Sequence, residues 1–222
     1  MMEINRYIDS TLLRPEVTES QVARLCDDAT RYEFASVCVN SYYAELASSL
    51  LAGSPVKTCV VVGFPLGSTA SEAKVSEASY AISRGAEELD MVMNIGALKS
   101  GKRGIVEEDI SAVVNAGKGK ALVKVILECC LLSDQEKVEA CEIAIEAGAD
   151  FVKTSTGFST GGATVHDVKL MKEAVSGRAQ VKASGGIRDL KTAIAMIEAG
   201  ATRIGTSNGV PIIAEDARGR SS

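Results

Sequence analysis

The sequence predicts a (β/α)8 barrel, and three observations carry that prediction. Eight short apolar runs, near residues 8, 34, 57, 88, 121, 151, 180 and 203, alternate with segments of helical pattern. Three helix-to-strand junctions share one grammar: Gly85-Ala86, Gly148-Ala149 and Gly200-Ala201 each end a helix and lead at once into a strand. That is the αβ loop of a repeated unit. Charged residues interrupt strands that would otherwise be apolar, at Asp9, Asp90, Lys124, Lys153 and Lys182, and barrel enzymes place such groups at strand ends. Eight strands with crossover helices in 222 residues fit a closed barrel. The competing architecture is an open doubly wound sheet, which carries its glycine-rich phosphate turn after the first strand. Here the best such turns follow the last two strands. Residues 1–222 are read as one barrel domain with a short N-terminal extension and a frayed tail over 218–222.

The elements are read in order as follows. Tyr7-Ile8-Asp9 is a very short strand ending on a carboxylate. Thr18 with Gln21 makes a capping box and opens a helix to about residue 30. Residues 34–40 are a buried strand, 41–51 a helix and 57–63 a valine-rich strand. Gly63-Phe64-Pro65-Leu66-Gly67-Ser68 is a turn, with Ser68 or Thr69 capping a helix over 70–84. Residues 88–93 form a strand interrupted by Asp90; residues 94–99 and a polar turn at 101–104 then lead to a helix ending near 116. Residues 121–127 form a strand interrupted by Lys124. Ser133 with Glu136 makes a second capping box, and Gly148 stops that helix. The strand at 151 carries Lys153 and breaks into Thr154-Ser155-Thr156-Gly157. Thr164 opens a helix to 175, a strand at 180–183 carries Lys182, and Ser184-Gly185-Gly186-Ile187-Arg188 follows it. A helix over 189–199, a strand over 202–205 and Thr206-Ser207-Asn208-Gly209 close the pattern.

Composition narrows the function. The chain is 46% hydrophobic and 24% charged with net charge −5, and its Lys and Arg are dispersed. That excludes a basic nucleic-acid face. Without Trp, and with 4% aromatic residues, there is no stacking platform for single strands. No apolar run reaches membrane-spanning length, and Met1-Met2-Glu3-Ile4-Asn5-Arg6 lacks a signal core, so a cytoplasmic protein with no membrane partner is expected. Six cysteines without a Cys-x-x-Cys pair read as buried reduced thiols, with Cys129-Cys130 serving packing rather than redox chemistry. His166 is the one histidine; a zinc or iron site built on imidazoles is thereby excluded, and His166 itself reads as exposed in a helix's first turn. Tyr42-Tyr43 should split between core and surface. No cofactor motif occurs, and no metal is expected.

Lysine is a costly choice for a buried strand, because a desolvated ammonium is unfavourable. Burial and a neighbouring ammonium both lower a lysine's pKa and yield a nucleophilic amine. Lys153 and Lys182, on neighbouring strands, therefore suggest one neutral nucleophile beside one retained charge. A neutral amine attacks a carbonyl and forms a Schiff base, and an acid such as Asp90 can move protons at the reacting carbon. The hydroxyls of the Thr154-Ser155-Thr156 turn can orient a small carbonyl. Lys182 abuts the glycine turns and gains from an anion there, so Lys153 is assigned the nucleophile and Lys182 the charge. Gly185-Gly186-Ile187-Arg188 and Gly205-Thr206-Ser207-Asn208-Gly209 follow the seventh and eighth strands, the usual place of a phosphate cradle in this fold. A structural ion-pair network and plain turn chemistry are the alternatives for the two sets.

The segments Ile8-Asp9-x-Thr11-Leu12-Leu13, Gly63-Phe64-Pro65-Leu66-Gly67, Glu88-Leu89-Asp90-Met91-Val92, Val123-Lys124-Val125-Ile126-Leu127-Glu128, Phe151-Val152-Lys153-Thr154-Ser155-Thr156-Gly157-Phe158, Val181-Lys182-Ala183-Ser184-Gly185-Gly186-Ile187-Arg188 and Arg203-Ile204-Gly205-Thr206-Ser207 resemble the 2-deoxyribose-5-phosphate aldolase family over about residues 7–213. The resemblance implies a class I aldolase that reversibly cleaves 2-deoxy-D-ribose 5-phosphate to glyceraldehyde 3-phosphate and acetaldehyde, without a cofactor, as a dimer or tetramer. It implies Lys153 as the Schiff-base lysine, Asp90 as the proton relay and Lys182 as the second lysine. It places Asp9, Thr11, Lys124 and Thr156 at the substrate, and Gly157, Gly185, Gly186, Arg188, Gly205, Ser207 and Asn208 at the phosphate. Cys38 matches a cysteine near the site in some members. Ser10 and Arg14 stand where many members have His and Lys, and Asn208 stands where a second serine is common.

Two other readings stay open on the sequence: a different sugar-phosphate barrel enzyme, either an isomerase or a metal-dependent aldolase, and a non-catalytic sugar-phosphate-binding barrel. The first is separated by chelation. Activity is expected to survive exhaustive chelation, and a loss restored by zinc would establish the metal-dependent rival.

Overall fold

The computed structural model describes residues 3–220, and in it eight parallel strands close on themselves in sequence order. They are β1 (Ile8–Thr11), β2 (Ser36–Val39), β3 (Lys57–Val62), β4 (Glu88–Val92), β5 (Leu122–Ile126), β6 (Phe151–Lys153), β7 (Gln180–Ser184) and β8 (Arg203–Thr206). Closure is made by β8 against β1, pairing Ile8 with Ile204, Asp9 with Gly205 and Ser10 with Thr206. The helices are α1 (Glu19–Tyr32), α2 (Ala44–Leu50), α3 (Ser71–Ser83), α4 (Ile95–Lys99), α5 (Arg103–Gly117), α6 (Asp134–Glu146), α7 (Val165–Val175), α8 (Leu190–Glu198) and α9 (Gly209–Arg220).

Successive strand residues face opposite sides of the sheet, and here the two sides differ in kind. One set, including Val37, Val39, Val60, Val62, Leu89, Met91, Val123, Val125, Val152, Val181 and Ile204, is buried in the main apolar core with the helices. The other set points into the barrel. Near β1–β3 it forms a small apolar cluster of Leu13, Cys38, Cys59 and Val61 with Phe64 against it. Elsewhere it is charged: Asp9, Glu88, Asp90, Lys124, Lys153 and Lys182 are all buried. Branched aliphatic residues ordinarily fill such interiors. Most of the stabilising apolar burial therefore lies between sheet and helices, and the lumen is free to carry chemistry.

Several local expectations are met by geometry. Both capping boxes form, Thr18 with Gln21 before α1 and Ser133 with Glu136 before α6. Thr164 and Asp189 accept from the backbone three residues on, at Asp167 and Thr192, and cap α7 and α8. Gly148 and Gly200 take positive φ of 89° and 116° at the helix ends, conformations that a side chain would disfavour. Tyr42 is exposed while Tyr43 packs against the core.

Other expectations are corrected. Neither Ser68 nor Thr69 caps α3; its N-cap is Ala70, which has no side-chain oxygen to accept. Residues 94–99, left unassigned by the sequence, hold the short helix α4, which starts where Asn94 Oδ1 accepts from Ala97 N at 3.0 Å. Residues 41–51 divide into a 3-10 turn, Ser41–Tyr43, and α2. The final helix α9 was hidden by Gly209 and Pro211, yet proline is tolerated in a first turn, where its missing N–H would have no partner. Residues 218–220, expected as the start of a frayed tail, are the last turn of α9; Ser221 and Ser222 lie outside the described residues. Cys130 is exposed, whereas the other five cysteines are buried, and all six are free thiols.

The Ser133 box supplies a test of the local reading. Ser133→Ala removes the acceptor for Glu136 N, 3.3 Å away. It is expected to cost about 1 kcal/mol in urea unfolding, with no change in cooperativity.

Candidate active site

Register brings the charged side chains together. Lys153 on β6 pairs with Lys182 on β7, and Asp90 on β4 pairs with Lys124 on β5. Asp90 is the centre. Its Oδ2 accepts from Lys153 Nζ and Lys182 Nζ, each at 2.7 Å, and its Oδ1 accepts from Lys124 Nζ at 2.9 Å and from Cys59 Sγ at 3.1 Å. Lys182 Nζ also lies 2.5 Å from Asp9 Oδ2. Lys124 Nζ also lies 2.6 Å from Glu88 Oε2. Room for Lys182 comes from β8: a Cβ on Gly205 would stand 2.8 Å from Ser184 Cβ and 3.1 Å from Lys182 Cε.

Electrostatics follow from these contacts. Burial alone would raise the Asp90 pKa, but Lys124, Lys153 and Lys182 outweigh it and hold the carboxyl well below its usual range. Asp9 behaves likewise under Lys182 and Arg203. Burial would lower Lys182, yet Asp9 and Asp90 hold its pKa above the ordinary lysine value. Lys124 is also raised, Asp90 leading the carboxylates that overcome its burial. Cys38 is lowered, chiefly by a hydrogen bond from Cys59, against its burial.

Above this cluster the mouth opens as a cleft of about 310 Å³. Lys153 reaches it, and Thr11, Thr156, Gly157, Gly185, Gly186, Arg188, Gly205 and Ser207 line it with others. Asp9, Asp90, Lys124 and Lys182 lie beneath the lining, each with no exposed surface. Asn208 is not on the lining; its Nδ2 reaches the Arg188 carbonyl at 3.4 Å and its Oδ1 accepts from Ser207 Oγ at 3.2 Å, so it braces the two loops. Gly162 permits a close approach of the loops: a Cβ on it would meet Gly185 O at 2.2 Å. Thr156 Oγ1 donates to Glu128 and accepts from Phe158 N, which fixes the turn after β6. The loops before α8 and α9 line the cleft, so the N-terminal ends of both helices add positive potential beside it.

Three participants escaped the sequence reading. Glu88 and Arg203 stand two residues before Asp90 and Gly205, hence on the same strand face; that spacing was the available signal. Glu128 is buried and left-handed, at φ 58° and ψ 64°, and nothing in the sequence marks a non-glycine residue for that conformation. A larger hollow of about 700 Å³ opens at the opposite end of the barrel, lined by Lys57, Glu88, Lys118 and Asp150 among others; the charged strand ends that define the mouth are not there. Two donor sets have all atoms within 4.8 Å of one another, Cys38–Cys59–Asp90 and Asp134–His166–Asp167. In the first, both Asp90 oxygens already meet lysines; in the second, Asp167 meets Lys137 and Thr164. Neither is assigned as a ligand set. His166 is exposed and bonds Asp134 Oδ2 at 2.7 Å.

A closed barrel with lysines and a carboxylate converging under a glycine-lined mouth defines the class of barrel aldolases. The comparisons agree, and the chain belongs to the DeoC/LacD family of aldolases, whose model matches residues 4–214. It is 64% identical over 214 residues to the deoxyribose-phosphate aldolase of Clostridium tetani, covering 96% of this chain and 99% of that one. It is 57% identical over 212 residues to the Brevibacillus brevis enzyme of the same name, covering 96% of each. Among solved structures it superposes on one described as QR15, an aldolase, with TM-score 0.95 and 45% identity, covering 100% and 99% of the two chains. It also superposes on the Aeropyrum pernix deoxyribose phosphate aldolase, described as a unique tetrameric structure, with TM-score 0.90 and 37% identity, covering 96% and 91%.

The carboxylates held low in pKa favour the fold fully above about pH 4, and that contribution is lost as pH falls through their folded values; the raised lysines contribute fully below about pH 10 and lose it on further alkalinisation. Asp9→Asn leaves Lys182 and Arg203 one carboxylate short. It is expected to destabilise the fold by about 3–5 kcal/mol in urea at pH 7, with a smaller penalty below pH 4.

Proposed function

We propose that this chain reversibly cleaves 2-deoxy-D-ribose 5-phosphate to D-glyceraldehyde 3-phosphate and acetaldehyde through a Schiff base on Lys153. The single observation behind the assignment of the nucleophile is the partner count. Lys124 meets Glu88 and Asp90, Lys182 meets Asp9 and Asp90, and Arg203 meets Asp9 and Glu88, while Lys153 meets Asp90 alone. Three buried lysines and the partly exposed Arg203 face three carboxylates, and giving up one proton balances the cluster. Lys153 has the fewest carboxylates and the open cleft in front of it. Its amine is the group free to attack.

The steps then balance. The Lys153 amine adds to the aldehyde carbon C1 of the open-chain sugar, and loss of water gives the protonated imine. The C3 hydroxyl gives up its proton, the C2–C3 bond breaks into the imine, and glyceraldehyde 3-phosphate leaves from the enamine. A proton returns to C2, and water releases acetaldehyde. Asp90 is kept ionised, so it serves as relay rather than as a standing acid. The proton it passes is the one on Lys182, which shares Oδ2 with Lys153. Thr11 and Thr156 orient the carbonyl end. Gly157, Gly185, Gly186, Arg188, Gly205 and Ser207 receive the phosphate. Asp9 and Lys124 act from below through Lys182 and Asp90, and Asn208 acts through Ser207 and Arg188.

The same proposal includes a cytoplasmic homo-oligomer, in keeping with free thiols and the tetrameric relative. No described helix is long and apolar enough to cross a membrane.

Borohydride with acetaldehyde is expected to label Lys153 alone, read by peptide mapping; label on Lys182 would reverse the two roles. Arg188→Ala is expected to lower kcat/KM for the phosphorylated sugar by about 10- to 150-fold, from charge-assisted bonds of about 1.5–3 kcal/mol. Its rate with unphosphorylated deoxyribose should stay unchanged. Equal native rates on the two sugars would overturn the phosphate assignment.

A further inference from the structure

Six side chains inside the barrel form a closed ring of ion pairs. Asp90 meets Lys124 at 2.9 Å, Lys124 meets Glu88 at 2.6 Å, and Glu88 meets Arg203 at 2.8 Å. Arg203 meets Asp9 at 2.5 Å, Asp9 meets Lys182 at 2.5 Å, and Lys182 returns to Asp90 at 2.7 Å. Carboxylate and cation alternate around it, so the ring is neutral with every member charged. Lys153 hangs outside the ring on Asp90 Oδ2 at 2.7 Å. Glu88 and Arg203 complete the circuit at the N-terminal ends of β4 and β8, away from the cleft lining. Arg203 grips both its carboxylates with more than one nitrogen: Nε and Nη2 on Asp9, Nη1 and Nη2 on Glu88. The Phe151 ring lies between the two cations of this floor, 5.9 Å from Lys124 Nζ and 6.0 Å from the Arg203 guanidinium carbon.

We propose that Glu88 and Arg203 are positioning residues for the reaction at Lys153: by closing the ring they set the charge that the Lys153 amine meets. The inference rests on the Schiff-base reading above. The logic is one of sign. Taking away Glu88 leaves an unbalanced cation below Asp90, which disfavours the Lys153 ammonium. Taking away Arg203 leaves an unbalanced carboxylate, which favours it. The other charged or titratable groups inside the barrel or at its mouth are Arg14 after β1, Cys38 on β2, Cys59 on β3, Glu128 after β5 and Arg188 after β7. None of them closes the ring, and all are common to the variants compared.

The experiment is the pH dependence of borohydride trapping of acetaldehyde on Lys153 in the native enzyme, Glu88→Gln, Arg203→Gln and the double variant. The low-pH limb is expected to move down in Glu88→Gln and up in Arg203→Gln, each by roughly half a pH unit or more, and to return near its native place in the double variant. A structural role alone would lower the trapped amount in both singles without shifting the limbs in opposite directions. Limbs that stay fixed, or move the same way, overturn the inference. If a Gln variant does not fold, Glu88→Asp and Arg203→Lys keep the charges but draw them back from their ring partners: smaller limb shifts, down and up respectively, support the inference, and native limbs overturn it. Absence of label on Lys153 in the native enzyme would overturn the Schiff-base reading itself, and this inference with it; label with unmoved limbs would sink the inference alone.

Discussion

Everything at the mouth depends on keeping seven charged side chains inside the barrel. Moving a single ion from water into such an interior carries a penalty of several kcal/mol, and mutual attraction offsets it only when every charge has well-placed partners. The alternation of carboxylate and cation meets that condition for six of them, with contacts of 2.5–2.9 Å. The seventh, Lys153, shares a carboxylate that two other lysines already hold. An apolar lumen would pack at least as well and fold at least as firmly. The stabilising apolar burial lies instead in the layer between sheet and helices.

This division of labour explains the residues that surround the cluster. β8 contributes Gly205 opposite Lys182, because any side chain there would take the space of the lysine stem. Glu128 adopts a left-handed backbone and turns its buried carboxylate to Thr156, tying the end of β5 to the loop after β6. Such a conformation costs on the order of 1–3 kcal/mol and persists only where its surroundings enforce it. The glycine loops after β7 and β8 add the opposite kind of surface, a rim of backbone N–H groups and helix ends suited to an anion. Lys153 and the glycine rim thus share one small cleft.

The sequence spoke most clearly where one residue type breaks a pattern. Lys153, Lys182, Asp90 and Lys124 are visible because charges interrupt valine-rich strands, and the structure brings all four within one cluster. The barrel was legible from the spacing of strands and from the Gly-Ala junctions, because a repeated unit writes its turn chemistry repeatedly. Glu88 and Arg203 were less visible since each opens a strand, where a charge ordinarily reaches solvent. α9 was obscured by glycine and proline at its start, and α4 by its brevity. Asn208 was placed with its glycine loop; the fold adds that its amide reaches the Arg188 carbonyl and Ser207 Oγ.

The contact between Arg203 and Asp9 joins side chains 194 residues apart. One comes from the first strand and the other from the last, so the ring exists only after β8 has zipped onto β1. A nascent chain that lacks its final β/α unit has Lys153 and Lys182 in sequence but an open charge circuit beneath them. On the Schiff-base proposal, the native pH limb of trapping at Lys153 is thus a reporter of barrel closure. Fragment complementation or circular permutation should therefore restore the native limb wherever it restores the β1–β8 seam, and leave it displaced wherever that seam stays open.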